Sequence, residues 1–400
     1  MLSTTIRSFR SISTKTALVL TNSLPIEKRA LVISTLASIK NHCAENELVQ
    51  ELLCETNIVK ADFDPPCAYY LAQLAAYVNV KLNITCSNST GAPTLLPDTA
   101  NNFFIFTDGS KTEDGVGYAT ILTASHGIMA TKSRRMPSLC GIFEAEAHAI
   151  HAALKMTAGL LPPGSTVSIF SDSKSSLQAL ASAKKTIPII AKTQKLAHDL
   201  ANSFSVRFHW IPGHSGIPGN ELADQKARAA ASNRNAPTKK VKISWSNAKH
   251  PLNHHLRQKW SSEWANENTS SLITKRFSPS IESSKILKFL KPTHQLIQVL
   301  SGHSRLHTFL HRIGVEQEDT CGCHQGPETL EHFLFHCPIF HTHRIAFKNH
   351  CTSQFSTWPP PFHLITSKME TIRKMQTFII ASKRLNFDYV DQWCCKSYNR

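Results

Sequence analysis

Residues 103–156 read FFIFTDGSKTEDGVGYATILTASHGIMATKSRRMPSLCGIFEAEAHAIHAALKM. Three short runs open this stretch: FFIFTD, GVGYATIL and GIMATKSR. They are apolar or alternating and punctuated by Gly, as in a meander of antiparallel strands. Then the pattern changes. EAEAHAIHAALKM is rich in Ala and Leu, carries Glu in its first turn, and predicts a helix ended by Pro162-Pro163-Gly164. Beyond it, TVSIFSD predicts a strand and SKSSLQALASA a helix opening on a Ser cap. IIAKTQKLAHDLANS predicts a further helix, SVRFHWIP a strand and NELADQKARAAAS a last helix. The order β-β-β-α-β-α-α-β-α across residues 102–232 predicts an α/β layer with a mixed five-stranded sheet and flanking helices.

Outward from this block the chain is less regular. Residues 1–81 predict a helical segment, with apolar periodicity from Ile26 to Leu53. Residues 82–101, LNITCSNSTGAPTLLPDTAN, carry the Pro, Gly, Asn and Ser punctuation of a linker. Residues 237–316 hold thirteen Lys and Arg against four Glu, so more than half of the chain's +16 sits in a fifth of its length. That region predicts helices bearing Trp245, Trp260 and Trp264, which either stack on bases or fill a core. Residues 317–345 are dense in Cys and His, and 346–400 form a tail with one amphipathic helix expected from Lys368 to Leu385. His303, His307 and His311 fall at i, i+4 and i+8 of an expected helix face, read as an interaction face rather than a metal site.

Composition narrows the function classes. The basic excess favours a polyanionic partner, nucleic acid ahead of an anionic membrane surface. No run reaches the ~18–20 apolar residues of a membrane helix, so no membrane partner is expected. Eleven scattered cysteines in 400 residues are far below disulfide-scaffold density and point to a reducing compartment. The sequons at Asn83, Asn88 and Asn268 are then chance matches. The first 26 residues lack acids, which also fits a mitochondrial presequence, a lesser alternative to a nuclear or cytoplasmic location.

Four acids lie at the ends or starts of the expected elements: Asp108, Glu146, Asp172 and Asp224. Asp108 and Asp172 each end a strand, the first within Thr-Asp-Gly-Ser, a turn where Gly109 lets backbone approach a ligand closely. Taken singly, each reads more readily as an ordinary turn or helix-start acid than as a catalytic one. Taken together, converging carboxylates repel by several kcal/mol and must take up protons or cations. Hard oxygen donors select Mg²⁺ or Mn²⁺, and two such ions can clamp a phosphodiester.

TDGS at 107–110, EAEAHAIHAAL at 144–154, FSDSKSSLQAL at 170–180 and HWIPGHSGIPGNELADQKA at 209–227 together resemble the type 1 ribonuclease H domain, in that family's order and over its domain length. The resemblance implies endonucleolytic hydrolysis of the RNA strand of RNA–DNA hybrids with two Mg²⁺ or Mn²⁺, leaving 5′-phosphate and 3′-hydroxyl ends. It places the catalytic set on Asp108, Glu146, Asp172 and Asp224, with Glu146 preferred to Glu144 by register. His214 matches the family's mobile histidine, a proton shuttle or aid to product release, or else a loop-stabilising residue. Gly109, Ser110, Ser173 and Asn220 match substrate-side positions. The segment ASAKKTIP at 181–188 is too short for the basic, Trp-bearing protrusion common in this family, so affinity falls to the basic region after residue 237 or is weak.

HWIPGHSGIPGNELAD is similar to the RNase H domains of non-LTR retrotransposon polyproteins. RSFRSISTKTALVLTNSLPIEKRA resembles the segment that follows their reverse transcriptase domain, and SGHSRLHTFLHRIGVEQEDTCGCHQGPETLEHFLFHCPIF resembles their C-terminal Cys/His segment. The chain then corresponds to the C-terminal part of such an element, with a reverse transcriptase as a partner in trans. Within the last segment Cys321, Cys323, His332 and Cys337 suit one tetrahedral Zn²⁺, with His324, His336 and His341 as competing ligands; the other reading is Cys and His packed under a small helix. The alternatives to a nuclease are a non-catalytic nucleic-acid-binding remnant and a structural adaptor.

Overall fold

A computed structural model describes residues 12–43, 45–64, 84–86, 102–182, 187–236, 238–267, 272–290 and 292–386. Most of the expected linker, the asparagines of all three sequons, the start of the N-terminal segment and Cys394 and Cys395 lie outside the described residues. The chain divides into two compact units, residues 30–253 and residues 1–29 with 254–400. This division cuts across the segments expected as 1–81 and 237–316.

The unit 30–253 is built on one sheet. Its strands are β1 (Ile84–Cys86), β2 (Asn102–Lys111), β3 (Val116–Ala124), β4 (Gly127–Met136), β5 (Thr166–Ser171) and β6 (Ser205–Trp210), in the order β1-β6-β5-β2-β3-β4. The five expected strands are present, and three residues of the expected linker add a sixth at the edge. β2, β3 and β4 are antiparallel neighbours, whereas β5 runs parallel to β2, and β6 parallel to both β5 and β1. The mixture follows from the connections. Tight Gly-bearing turns join β2 to β4, while helices carry the chain between the parallel strands.

Helices α1 (Thr14–Leu20), α2 (Ile26–Asn41) and α3 (Glu47–Glu55) precede the sheet; α4 (Ile142–Leu160), α5 (Lys174–Ala181), α6 (Pro188–Leu200) and α7 (Pro218–Ser232) lie between or after its strands. On one face, Ala147, Ile150 and Leu154 of α4 and Ile190 of α6 bury against Phe103, Ile105 and Ile169. On the other, Ala223 of α7 meets Phe106, Ile121, Phe170 and Ile211. Strand alternation sends odd and even residues of β2 to opposite faces, so one strand organises both layers. Pro188 and Pro218 sit at the first helical positions of α6 and α7, where a missing N–H costs nothing. Outer strand β4 leaves Lys132 and Arg134 unburied, a charged edge that resists strand addition.

The chain after α7 stays with this unit. Lys239 N–H donates to the Arg135 carbonyl at 2.8 Å, and Ile243 exchanges backbone bonds of 2.9 Å with Asp62 and Asp64.

The other unit is helical. It includes α1, α9 (Leu272–Phe277), α10 (His294–Ser301), α11 (His307–Arg312), α12 (His341–Phe355), α13 (Phe362–Ile365) and α14 (Met369–Ser382), while α8 (Lys249–Asn266) crosses the division. Its core gathers Phe277, Leu296, Phe333, Phe347, Ile372 and Phe378. Trp260 and Trp264 are buried, and the Trp264 indole donates to the Ser278 carbonyl at 2.9 Å. They fill a core and do not stack on bases. The expected three-histidine face is also corrected: Gly302, at φ 75°, ends α10 and turns the chain, so His303 lies off the helix that carries His307 and His311. The tail helix appears as α14, within the expected 368–385.

Candidate active site and Cys/His cluster

β2 and β5 pair with Thr107 opposite Ser171, so Asp108 and Asp172 follow on adjacent parallel strands. Asp108 is an interior residue of β2 rather than the end of a strand. Its neighbour Gly109 is correspondingly not a turn glycine. A Cβ there would lie 2.6 Å from the Glu146 backbone nitrogen and 2.9 Å from Ala145 Cβ. The missing side chain lets α4 settle onto β2 and brings Glu146 beside Asp108.

Ligating oxygens of Asp108, Glu146 and Asp172 all lie within 4.8 Å of one another. Asp108 is 5% exposed and Glu146 7%. Among the described residues, Asp108 Oδ2 and Glu146 Oε2 are buried with no hydrogen-bond partner. Burial, then the charges of Asp172 and Asp224, push the Asp108 carboxyl up to about 7. Burial, Asp108 and Asp172 push Glu146 well above the usual range. Asp172 is also raised, chiefly by burial, against a lowering hydrogen bond from Asn220. Crowded, partly orphaned carboxylates are a donor set suited to hard divalent cations.

Glu144 has a different part. Its Oε1 accepts from Ser244 N–H at 2.8 Å, and its Oε2 from Gly141 N–H at 2.8 Å and Asn247 Nδ2 at 2.5 Å. Both oxygens are spent on capping α4 and holding the chain after α7, so Glu146 is the carboxylate left for chemistry.

Asp172 is held from several directions. The Trp210 indole donates to its carbonyl at 3.1 Å. A Cβ on Gly213 would come within 2.8 Å of Asp172 Oδ2, so the loop passes only because that residue is glycine. Asn220 is buried, and its Oδ1 has no partner among the described residues. Ser173 opens α5, but its hydroxyl meets Ser176 Oγ at 2.9 Å instead of capping a backbone amide. Ser110 is a buried β2 residue.

Asp224, on α7, borders the three-carboxylate group through its field on Asp108, Glu146 and Asp172. Its closest ligand cluster is with His214 and Glu221, whose donor atoms also lie within 4.8 Å of one another. Arg228 pairs with Asp224 at 2.8 Å, a counter-ion one helical turn away, so the acids are not free of basic neighbours. His214 is exposed, at φ 51° in the loop before α7. Sequence reading missed Glu221, Gly213 and Arg228. Glu221 and Arg228 were signalled by helical spacing from Asp224, three before and four after.

In the other unit, the Sγ atoms of Cys321 and Cys337 are 3.7 Å apart, and Cys323 Sγ is 3.2 Å from His332 Nε2. All four donors lie within 4.8 Å of one another. Thiolates ~2.3 Å from one tetrahedral zinc are ~3.8 Å apart, so the donor spacing fits that ion. The single residue between the first two cysteines suffices because a tight knuckle forms there. His324 N–H donates to the Cys321 carbonyl and Cys321 N–H to the Gly326 carbonyl, each at 2.8 Å. The second pair is aligned by a π-helical turn, His332–His336, closed by Cys337 N–H on the His332 carbonyl at 2.7 Å. That i to i+5 bond suits ligands five residues apart. His324, His336 and His341 stand outside the cluster.

Residues 100–232 match the family model described as RNase H. This segment is an RNase H domain. The chain is 26% identical over 85 residues to a Retrovirus-related Pol polyprotein from type-1 retrotransposable element R1 2 of Nasonia vitripennis, covering 21% of this chain and 20% of the relative. It is 53% identical over 38 residues to a Ribonuclease H of Nitratidesulfovibrio vulgaris, 10% of this chain and 24% of that protein. The matched stretch thus spans about a fifth of the length of these curated relatives. Among solved structures, RNase H1 from the halophilic archaeon Halobacterium salinarum is similar at 22% identity and a TM-score of 0.27, over 32% of this chain and 96% of that one. The homologues of this RNase H domain include R1 non-LTR retrotransposon polyproteins.

Proposed function

We propose that the chain hydrolyses the RNA strand of RNA–DNA hybrids, leaving 5′-phosphate and 3′-hydroxyl ends. The observation that carries this reading is the trio Asp108, Glu146 and Asp172, with two buried carboxylate oxygens unpartnered among the described residues. These three and Asp224 would hold two Mg²⁺ or Mn²⁺ ions. Bound there, such ions supply Lewis-acid polarisation of the scissile phosphate. The protein's own part is preorganisation. Parallel strands fix Asp108 and Asp172, α4 presents Glu146, and Asn220 and Trp210 orient Asp172. His214 is placed near Asp224 to hold or pass a proton as product leaves. Ser173 and Asn220 are offered as substrate-side groups, while Gly109 acts through packing and Ser110 from within the sheet. Hybrid selectivity rests on shape and 2′-hydroxyl contacts.

We further read Cys321, Cys323, His332 and Cys337 as one structural Zn²⁺ site, and a reverse transcriptase acting in trans as the source of hybrid. The test is cleavage of a labelled hybrid by the full chain with Mg²⁺. Cleavage lost on Asp172→Asn supports the reading. Binding without cleavage by the native chain would replace it with the non-catalytic remnant.

A further inference from the structure

A cavity of about 290 Å³ opens on the side of α4 away from Glu146, bounded by the start of α6 and by residues 239–242. Glu144, His148, His151 and Lys155 line it from α4. They recur at helical spacing on one face, and Glu144 lies some 200° around the helix from Glu146. Lys192 of α6 and Lys239, Lys240 and Lys242 complete the basic wall. A second cavity shares the 239–242 segment.

Five lysines face two acids in this lining, so the lining keeps a net positive charge. Glu144 is spent on three hydrogen bonds from Gly141, Ser244 and Asn247. Asp64 is pushed up to about 6, burial outweighing the nearby lysines. Burial is the main cause of the shifts at the basic groups here, and neighbouring lysines add to it. Burial, then Lys155 and Lys239, holds the His151 imidazole at about 4. Burial, then Lys155, Lys132 and Arg134, lowers Lys239 to about 8. Lys132 and Arg134 belong to β4, so the positive field extends from the cavity onto the sheet edge.

We propose that this cavity is a phosphate-binding site that grips the backbone of a nucleic-acid strand, at a distance from the carboxylate trio. A band of lysines reaching from α4 over 239–242 toward β4 matches several phosphates along a strand better than one small anion. The proposal rests on the hybrid-cleaving reading only for the identity of the strand. It locates the grip that the short 181–188 segment leaves unassigned.

The test is binding, without divalent metal, so that it is separate from cleavage. Anisotropy of a labelled RNA–DNA hybrid is measured on the full chain, on the exposed pair Lys155→Glu/Lys240→Glu, and on Arg207→Glu, an exposed change on β6. Unchanged circular dichroism shows that the variants fold. The double variant is expected to weaken binding about tenfold or more, and to flatten the log K against log salt slope by about two, at ~0.9 per phosphate contact. Arg207→Glu leaves both nearly unchanged. Losses equal per unit of charge, four units in the double variant and two in Arg207→Glu, would make the effect mere net charge and overturn the site, as would native binding by the double variant. Titration with inorganic pyrophosphate decides the source. Saturable uptake lost in the double variant, with hybrid binding intact, would make this a small-anion site and overturn the proposal. Failure of the native chain to cleave would end the nuclease reading but leave this result standing.

Discussion

Single residues decide whether the carboxylates meet. Asp108 sits in a buried cluster of like charge, so removing its charge relieves the metal-free fold while removing a metal ligand. Asp108→Asn is expected to stabilise the protein in EDTA by about 0.5–2 kcal/mol and to abolish hybrid cleavage. Thermal unfolding of the metal-free chain and a cleavage assay check the two halves. Gly109→Ala acts in the opposite sense. Its Cβ would meet α4 backbone at 2.6 Å, and backbone cannot step aside as a side-chain tip can. The expected cost is about 1–3 kcal/mol, read from urea midpoints, with cleavage reduced as Glu146 is displaced. At this scale motif order, which survives in one dimension, pointed to Asp108, Glu146 and Asp172, whose oxygens the fold brings within 4.8 Å of one another. It did not show why Gly109 matters. That reason is the approach of a helix 37 positions later in the chain.

Elements decide which side chains share a direction. The pattern of apolar residues placed β2–β6 and α4–α7 nearly as observed, since burial on one face enforces periods of 2 and 3.6. Three-residue β1 was not legible, because so short a strand carries no period. Nor was the break at Gly302, where an expected histidine face dissolved into a left-handed turn. The π-helical turn at His332–His336 is a sharper case. It brings His332 and Cys337 together at a spacing an α-helix would splay. Cys321→Ser and Cys337→Ser are each expected to remove one equivalent of zinc, measured by metal analysis of the purified chain. Inserting one Ala between Leu334 and Phe335 should do the same without touching a ligand. Full zinc retention by the insertion variant would show that the turn does not set the site.

At the scale of the molecule there are two cores. The sheet unit buries Ile105, Ile150 and Ile169 between its layers, and the helical unit buries Phe333, Phe347 and Phe378 near the Cys/His cluster. Calorimetry of the full chain is expected to show two transitions. Zinc chelation should lower one and Mg²⁺ raise the other, each by linkage to the folded unit that holds the ion. A single transition responding equally to both would mean that the cores unfold as one. The charge excess of +16 and the four acidic motifs were in the sequence from the start, because composition and local order need no folding to be read. So were the alternation that builds a mixed sheet and the Cys and His that suit zinc. Motif register preferred Glu146 to Glu144, but the tertiary structure supplied the physical reason, giving Glu144 three hydrogen bonds and leaving a Glu146 oxygen without a partner among the described residues. Only it folded Lys239–Lys242 back against α4, turning a basic stretch into a lined cavity. Both outcomes depend on contacts between residues tens of positions or more apart, and a linear pattern carries no record of which distant backbone atoms will come within hydrogen-bonding reach.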